Sequence, residues 1–478
     1  MPGNSRVPAA GFNQNDRRLE SLSLALCGVL GLAFAFVLPP LQLTDEHAHF
    51  IRAYAISRGE IVAHGTPGLP APIVAFVMRY PEQAVPFPLL PKQEVLRDLA
   101  ARAQAPEGGS MALANTDGRH PHLAWGVIGS AAYCPLVYLP ATLGIWAARA
   151  LRLSPPAMMY GARIFNVLTL VAALAVSFRL APGYRAVMTA VALLPMTLHQ
   201  AGGISGDVVT IAISFVGLSL ALHAREHAVG RRFLILTAAV FTMWGLCKFS
   251  VWALPLVLLI PASQFRNRRA WLAYIGGVAV CMACAVAIWG AVDSGNAEAF
   301  RLARLSNGID ISANVRLATT YPLTFAQQLL GLIRSSYWAE LGQFLGTFSW
   351  IMFTLPLWAR LEYLALIMVV AATEFSAKPF RVWERAVLLL AFLGGVLLVH
   401  AILFVSDGTL CAGGVRMCFA ASAGVQGRYF IPFCLCGFLA LRQSRVQVRS
   451  STLLGIVLAA GTLQALGALY MIRLAFYP

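Results

Sequence analysis

Runs of apolar residues close to the length needed to cross a lipid bilayer recur along almost the whole chain. The first covers residues 19–40 and the last covers residues 452–472. Crossing the hydrocarbon core takes about 20 residues of α-helix, which satisfies its own backbone polar groups. With 59% hydrophobic and 12% charged residues, the chain is too apolar for a soluble domain. The sequence therefore predicts an all-α polytopic membrane protein.

Basic residues punctuate these runs and predict the topology. The net charge is +16, but Lys and Arg do not gather on one face with aromatic residues between them, so no nucleic-acid partner is expected. The positive-inside rule places the basic clusters in cytoplasmic loops. It gives a cytoplasmic amino-terminal tail, residues 1–18, and a single transmembrane domain, residues 19–478. About eleven spans are expected, at residues 19–40, 159–179, 186–201, 207–224, 232–247, 249–263, 271–292, 354–375, 386–405, 429–441 and 452–472.

Long outer loops follow from this topology, and long loops in a compact protein usually carry function. Residues 133–150, within the first loop, are apolar, but counting them as a span would place most basic clusters outside. Pro135 and Pro140 favour a short membrane-hugging or re-entrant element there. The three outer loops are residues 41–158, with juxtamembrane helices, and residues 293–350 and 406–428.

Cys411 and Cys418 share the third outer loop. An oxidising compartment would allow them to form a disulfide that closes a small ring. The geometry of the loop decides between a disulfide and two free thiols, so both alternatives stay open.

Two adjacent carboxylates and two histidines follow directly on the first apolar run, at residues 44–49. Ionisable groups are costly near hydrocarbon and are functional candidates by default. The apolar residues of segment 47–58 recur at helical spacing and predict an amphipathic helix on the outer surface. Thr44 or Asp45 could simply cap that helix, but capping does not explain two acids with two histidines. A desolvated carboxylate has a raised proton affinity, which suits a general base.

The two histidines of this motif, His47 and His49, do not form a paired metal site by themselves. Side chains two residues apart point in different directions on a helix. One of them together with Asp45 or Glu46 could bind a divalent ion.

Further polar residues lie at the outer ends of predicted spans or in the first loop. A single charge at a helix end can merely snorkel to the interface, and a single histidine can be an interfacial anchor. Several such groups on one face predict a site. A guanidinium at headgroup depth suits bidentate contact with a phosphate. The residues concerned are His120, Arg163, Asp207, Lys248, Arg428 and Tyr429.

Several of these motifs, in this order, resemble a bacterial membrane family, domain of unknown function 2142 (DUF2142). The resemblance runs from about residue 38 to residue 440. That family is similar to the GT-C superfamily of glycosyltransferases that use polyprenyl-phosphate sugars. The motifs that carry the resemblance are Asp45-Glu46-x-x-His49-Phe50 with Arg52-Ala53 and Ser57-x-Gly59, Pro135-Leu136-x-Tyr138, Ala162-Arg163-x-x-Asn166, Ser205-Gly206-Asp207, the stretch from Leu341-Gly342 to Pro356, and Gln426-Gly427-Arg428-Tyr429.

The resemblance implies a GT-C-like fold and a set of catalytic acids. Asp45 matches the first-loop acid of GT-C enzymes, Glu46 matches its acidic neighbour, and Asp207 matches the second-loop acid. His120-Pro121 resembles the start of a first-loop motif, although His122 stands where Pro or Leu is usual. The residues expected to bind substrate are His49, His120, Arg163, Lys248, Arg428 and Tyr429.

The implied reaction moves a sugar from a polyprenyl-phosphate donor to a glycan, lipid or protein acceptor, with inversion. It takes place on the outer face of the bacterial cytoplasmic membrane, with Asp45 as the base. No cofactor is required, although Asp45, Glu46 and Asp207 offer ligands for a divalent metal. A transporter or flippase of lipid-linked saccharides, or a surface-polysaccharide polymerase or ligase, is the alternative. Charges at span ends favour surface chemistry over transport through the bilayer midplane.

Overall fold

A computed structural model describes residues 14–63, 69–80, 129–248, 250–306, 308–349, 351, 353–375, 378–410, 417–418, 424–442 and 446–477. His120 and the pairing of Cys411 with Cys418 lie outside these residues. The α-helices are α1 Gln14–Val37, α2 Glu46–Ser57, α3 Ala71–Arg79, α4 Leu139–Ala150, α5 Pro155–Leu180, α6 Arg185–Ala192, α7 Pro195–Ala201, α8 Asp207–Glu226, α9 Arg231–Gly245, α10 Arg268–Val292, α11 Ser294–Leu305, α12 Ile311–Thr320, α13 Pro322–Gly346, α14 Leu357–Thr373, α15 Val382–Asp407, α16 Ile431–Ala440 and α17 Ser450–Phe476.

Short 3-10 helices and two hairpins join these helices. The 3-10 helices are Pro135–Tyr138, Pro182–Tyr184, Ser250–Leu259, Ala262–Gln264 and Gly427–Phe430. The strands are β1 Thr347–Phe348, β2 Phe353–Thr354, β3 Thr409–Leu410 and β4 Met417–Cys418. Both pairs, β1 with β2 and β3 with β4, are antiparallel. The first hairpin joins α13 to α14 and, as shown below, reaches the candidate site.

The long helices confirm an all-α multi-pass membrane protein. Among the described residues, six helices are long and apolar enough to cross a membrane: Asp16–Val37, Pro155–Leu180, Asp207–Glu226, Arg268–Val292, Val382–Asp407 and Ser450–Phe476. The total of about eleven spans, the cytoplasmic tail and the position of the outer loops stay predictions.

Two of the predicted spans are interrupted by proline. Residues 186–201 are divided between α6 and α7 because Leu194, which precedes Pro195, takes an extended ψ of 126°. Residues 249–263 contain a ten-residue 3-10 helix with Pro255 inside it. A proline lacks the amide that an uninterrupted α-helix needs. The sequence predicts one span at each of these two places, and the structure shows two helices in the first and a 3-10 helix in the second.

The helix that follows the acidic motif is buried, whereas the sequence predicts an amphipathic surface helix. Every residue of α2 from Glu46 to Ile56 is buried. The segment that contains α4 packs against α2, and Ser130 donates a hydrogen bond to the Ala48 carbonyl at 3.2 Å. The prediction was wrong because the apolar spacing of one helix does not reveal what covers its other face.

The apolar segment 133–150 forms a 3-10 helix and then the 12-residue α4. This is shorter than the roughly 20 residues that a straight span needs. It packs on α5 at Gly144, where an added Cβ would lie 2.3 Å from the carbonyl oxygen of Gly161. The two backbones are therefore in direct contact.

Helix α8 is the most enclosed of the six long apolar helices. Of its most apolar window, 83% is buried, compared with 11% for α10. Its first residue is Asp207, so one of the predicted site acids stands at the end of a central helix. Helix α10 lies at the periphery.

Candidate functional site

Asp207 and Lys248 form a buried ion pair. Lys248 Nζ lies 3.2 Å from Asp207 Oδ1, and each side chain is 4% exposed. Asp207 is the first residue of α8, where a carboxylate is stabilised by the helix dipole. Lys248 lies between α9, which ends at Gly245, and the 3-10 helix Ser250–Leu259. The pair thus joins the start of α8 to the segment that follows α9.

Aromatic rings enclose the ammonium group of Lys248. Its Nζ lies 4.2 Å from the ring centre of Tyr429 and 5.0 Å from that of Tyr133. Both distances are within the range of a cation–π interaction. Burial raises the pKa of Tyr133 to about 12, so its phenol is neutral at physiological pH. Lys248 is thus oriented from three sides.

Arg428 joins the two predicted catalytic aspartates. Its Nη2 lies 3.1 Å from Asp45 Oδ2, and its Nε lies 3.4 Å from Asp207 Oδ2. Its Nη1 donates to the backbone carbonyl of Thr44 at 3.3 Å. The guanidinium is 3% exposed. Arg428 therefore connects the beginning of the chain to the central helix.

A close backbone contact fixes the position of Arg428. The amide of Gly427 donates to Gln343 Oε1 at 2.9 Å. A Cβ on Gly427 would lie 2.1 Å from the carbonyl oxygen of Glu340 and 2.2 Å from the amide nitrogen of Phe344. Real Cβ atoms essentially never approach so closely, so only glycine allows the Arg428 segment to rest on α13.

Asp45 is the most accessible acid of this cluster. Its side chain is 40% exposed, compared with 4% for Asp207. Its φ of 62° lies in the left-handed region, and its side chain makes no capping hydrogen bond to α2. Helix capping therefore does not account for this acid. Beside it, Thr44 Oγ1 donates to the carbonyl of Ser349 at 2.5 Å, which attaches the β1–β2 hairpin to the site.

Glu46 and Arg163 form a separate ion pair that is completely buried. Arg163 Nη2 lies 2.7 Å from Glu46 Oε2, and both side chains are 0% exposed. Glu46 also accepts from the amides of Leu43 and Ile204, at 3.2 and 2.9 Å. Arg163 donates to carbonyls at the end of α1, among them that of Leu38 at 2.7 Å. The pair joins α1, α2, α5 and the segment that leads into Asp207.

His49 faces inward, behind the tyrosines. Its Nδ1 lies 2.8 Å from the hydroxyl of Tyr138, which itself donates to the Ser130 carbonyl at 3.0 Å. Burial, together with the nearby charge of Lys248, lowers the pKa of His49 to about 3. Its imidazole is therefore neutral at physiological pH and donates to Tyr138.

Two cavities of different character lie beside the charged cluster. One is partly open to solvent and is lined by Asp207, Lys248, Trp252, Val399, Tyr429 and Phe433, among others; we call it the apolar cavity. The second is partly open to solvent and is lined by His199, Gln200, Gln343, Ser349, Gln426 and Arg428, among others; we call it the polar cavity. Lys248 thus borders the apolar cavity, and Arg428 borders the polar cavity.

The three predicted acids do not converge on one point. Asp45 and Asp207 each face Arg428, whereas the oxygens of Glu46 face Arg163. In the part of the chain that the structure describes, no group of three His, Cys, Asp or Glu side chains is placed to hold a metal ion. The described residues therefore do not form the divalent site considered from the sequence.

The structure brings together five of the predicted site residues: Asp45, Asp207, Lys248, Arg428 and Tyr429. It places His49 behind them and sets Glu46 and Arg163 apart as a pair. Sequence reasoning missed Tyr133 and the glutamines of the polar cavity. For His199 and Gln200 a signal existed, because polar residues within a predicted span are unusual. Gln343 gave no such signal.

Comparison with known proteins identifies a family. The family model described as "Predicted membrane protein (DUF2142)" matches residues 27–436. No curated protein and no solved structure matches the chain. The matched region contains all of α2 and α8 and the cluster of Asp45, Asp207, Lys248 and Arg428. The chain belongs to the DUF2142 family of membrane proteins.

Proposed function

We propose that the protein is a membrane glycosyltransferase. It moves a sugar from a polyprenyl-phosphate donor to a glycan, lipid or protein acceptor of the cell envelope. The reaction takes place on the outer face of a bacterial cytoplasmic membrane.

The observation that carries this proposal is the position of Lys248 and Arg428 between the two cavities. Lys248 lines the apolar cavity and Arg428 lines the polar cavity, and both contact Asp207. A polyprenyl-phosphate sugar has the same order of parts: an apolar chain, an anionic phosphate and a polar ring. The order of apolar cavity, cations and polar cavity therefore matches the order of chain, phosphate and sugar in the donor.

Asp45 is the proposed general base. It removes the proton from an acceptor hydroxyl, whose oxygen then attacks the anomeric carbon of the donor sugar. The bond between that carbon and the phosphate oxygen breaks, and the polyprenyl phosphate leaves with the bonding electrons. Lys248 and Arg428 stabilise the negative charge on the departing phosphate. Attack from the face opposite the phosphate inverts the anomeric centre.

Asp207 and the Glu46–Arg163 pair have positioning roles in this mechanism. Both oxygens of Asp207 face cations, and its side chain is 4% exposed, so it orients Lys248 and Arg428. The Glu46–Arg163 pair fixes the start of α2 and thereby the adjacent Asp45. Because this pair is enclosed by backbone donors and acceptors, neither residue contacts substrate in the proposal.

The helix-end location of these charges favours surface chemistry over transport. Asp207 begins α8, Asp45 directly precedes α2, and Arg428 lies three residues before α16. A transporter or flippase would place ionisable groups near the bilayer midplane.

Reconstitution of the purified full chain tests the proposal. Wild type is incubated with a polyprenyl-phosphate sugar and candidate acceptors, and transfer is measured. Asp45→Asn should retain donor binding and lose at least about a hundredfold in transfer rate. Arg428→Ala should lose donor binding. The matched controls, Glu298→Gln and Arg301→Ala, alter exposed charges on α11 and should behave as wild type.

Full transfer by Asp45→Asn would remove the base assignment. Equal donor binding by wild type and Arg428→Ala would remove the phosphate role. Absence of any polyprenyl-phosphate binding by wild type would overturn the proposed function itself.

A further inference from the structure

The polar cavity is built mainly from uncharged hydrogen-bonding groups. Three carboxamides line it: Gln200 from α7, Gln343 from α13, and Gln426 directly before Gly427. A carboxamide both donates and accepts hydrogen bonds, as does a sugar hydroxyl. Neutral polar groups from three separate segments therefore face one space.

Part of this hydrogen-bonding capacity is unused. Gln343 accepts from the Gly427 amide through Oε1. Among the described residues, no partner is found for the NH₂ group of Gln343 or for the side chain of Gln426. The side chain of Gln343 is largely buried. The hydroxyl oxygen of Ser349, which also lines the cavity, is buried and has no hydrogen-bond partner among the described residues; a buried polar group normally has one, so this lining calls for a ligand or water.

The charge of the cavity is limited to one side chain. Of the described residues that line it, Arg428 is the one that carries a formal charge, and it already contacts Asp45 and Asp207. His199 accepts from the amide of Ser349 through Nε2, at 3.3 Å, which leaves its imidazole uncharged. No carboxylate is among these described lining residues.

We propose that the polar cavity binds the sugar ring of the donor and selects a neutral, hydroxyl-bearing sugar over a uronic acid or an amino sugar. The inference rests on the proposed function, because the donor phosphate places its sugar beside Arg428. A neutral ring pairs its hydroxyls with the carboxamides. A buried ammonium finds no carboxylate in the described lining, and a buried uronate competes with the phosphate for Arg428. An unpaired buried charge is costly.

Competition binding on the purified full chain tests this selection. A photoreactive polyprenyl phosphate is the probe, and its competitors are polyprenyl-phosphate hexose, hexuronate and amino-hexose of the same lipid length. The hexose should compete at least about tenfold more strongly than either charged sugar. A tenfold difference in affinity corresponds to about 1.4 kcal/mol, which is less than the cost of burying an unpaired charge. The probe without sugar reports the lipid and phosphate contacts separately.

A charge introduced into the cavity should change the ranking. Gln426→Glu supplies a carboxylate and should improve competition by the amino-hexose relative to the hexose. The matched control is Gln327→Glu, which makes the same change at an exposed position of α13. The control should retain the wild-type ranking.

The outcomes separate the two proposals. Binding of the probe with equal competition by all three sugars, or a preference for a charged sugar, would overturn the inference and leave the glycosyltransferase proposal standing. An unchanged ranking in Gln426→Glu would show that the sugar does not occupy the polar cavity. Failure of wild type to bind the probe would overturn the proposed function and this inference with it.

Discussion

The ammonium of Lys248 lies 3.2 Å from the carboxylate of Asp207, and the pair is held between the rings of Tyr133 and Tyr429. Ordering a lysine side chain costs conformational entropy, and here that cost is met on folding. An incoming phosphate therefore encounters a cation that is already oriented, which is the condition for effective stabilisation of developing charge.

Replacement of this lysine should weaken donor binding. Lys248→Met keeps an apolar stem of similar length but removes the cation, so the affinity for polyprenyl phosphate should fall at least about tenfold. Binding is measured by titration of the purified protein. Lys378→Met is the matched control, because Lys378 is exposed and donates to the Glu226 carbonyl. Equal affinity in Lys248→Met and wild type would exclude Lys248 from the phosphate site.

Separation of the Glu46–Arg163 pair should destabilise the fold. Removal of one partner leaves an uncompensated buried charge, at a cost of about 3–5 kcal/mol. Glu46→Gln and Arg163→Met should each lower the melting temperature in detergent, and the double variant should lower it by less than the sum of the two. If Glu46→Gln melted as wild type but failed to transfer sugar, a catalytic role would replace the positioning role.

A methyl group at Gly427 should disrupt the site. In Gly427→Ala the new Cβ would lie 2.1 Å from the Glu340 carbonyl oxygen, so the segment that carries Arg428 must move. Donor binding should be lost even in protein that remains folded by gel filtration. Gly455→Ala is the control: its Cβ meets nothing within 4 Å in α17, and alanine favours the helix by up to about 1 kcal/mol. Normal binding by Gly427→Ala would contradict the close contact.

Acid should destabilise the protein through the histidines of α2. Burial lowers the pKa of His49 to about 3 and that of His47 to about 4, despite the opposing charge of Asp45. Below about pH 6.5 the unfolded chain takes up protons at these positions while the folded chain does not, so stability falls between about pH 6.5 and pH 4. Melting temperatures measured across this range should decrease.

The contribution of His49 to this acid sensitivity can be isolated from the slope of melting temperature against pH. His49→Gln should reduce the dependence of melting temperature on pH, whatever its effect at neutral pH. His227→Gln, at an exposed position after α8, should leave the slope unchanged. A wild-type slope in His49→Gln would show that His49 is protonated alike in both states.

The membership of the charged cluster could be predicted from the sequence in large part. Asp45, Asp207, Lys248 and Arg428 each lie at the end of an apolar run, and the charge pattern assigned those ends to one face. The free-energy cost of a charged side chain near a bilayer depends on the residue type and on its depth. The sequence gives the residue type, and the position of the residue relative to an apolar run indicates the depth.

The separation of Asp45 from Glu46 could not be predicted. The two acids are adjacent, yet one reaches solvent and the other is enclosed with Arg163. The difference arises because Asp45 takes a left-handed backbone conformation before the helix begins. Aspartate is among the residues that tolerate this conformation, but residue type does not require it. The same limit applies to Gln343, whose contact with Gly427 joins segments 84 positions apart.

The contact between Asp45 and Arg428 joins residues 383 positions apart. At about 5–20 residues per second, synthesis takes at least about 20 s to travel that distance. During this interval Asp45 has already been synthesised, whereas Arg428, whose guanidinium later pairs with it, has not. The site is consequently completed only when Arg428 has been synthesised and inserted, and nascent or truncated chains that end before Arg428 lack it altogether.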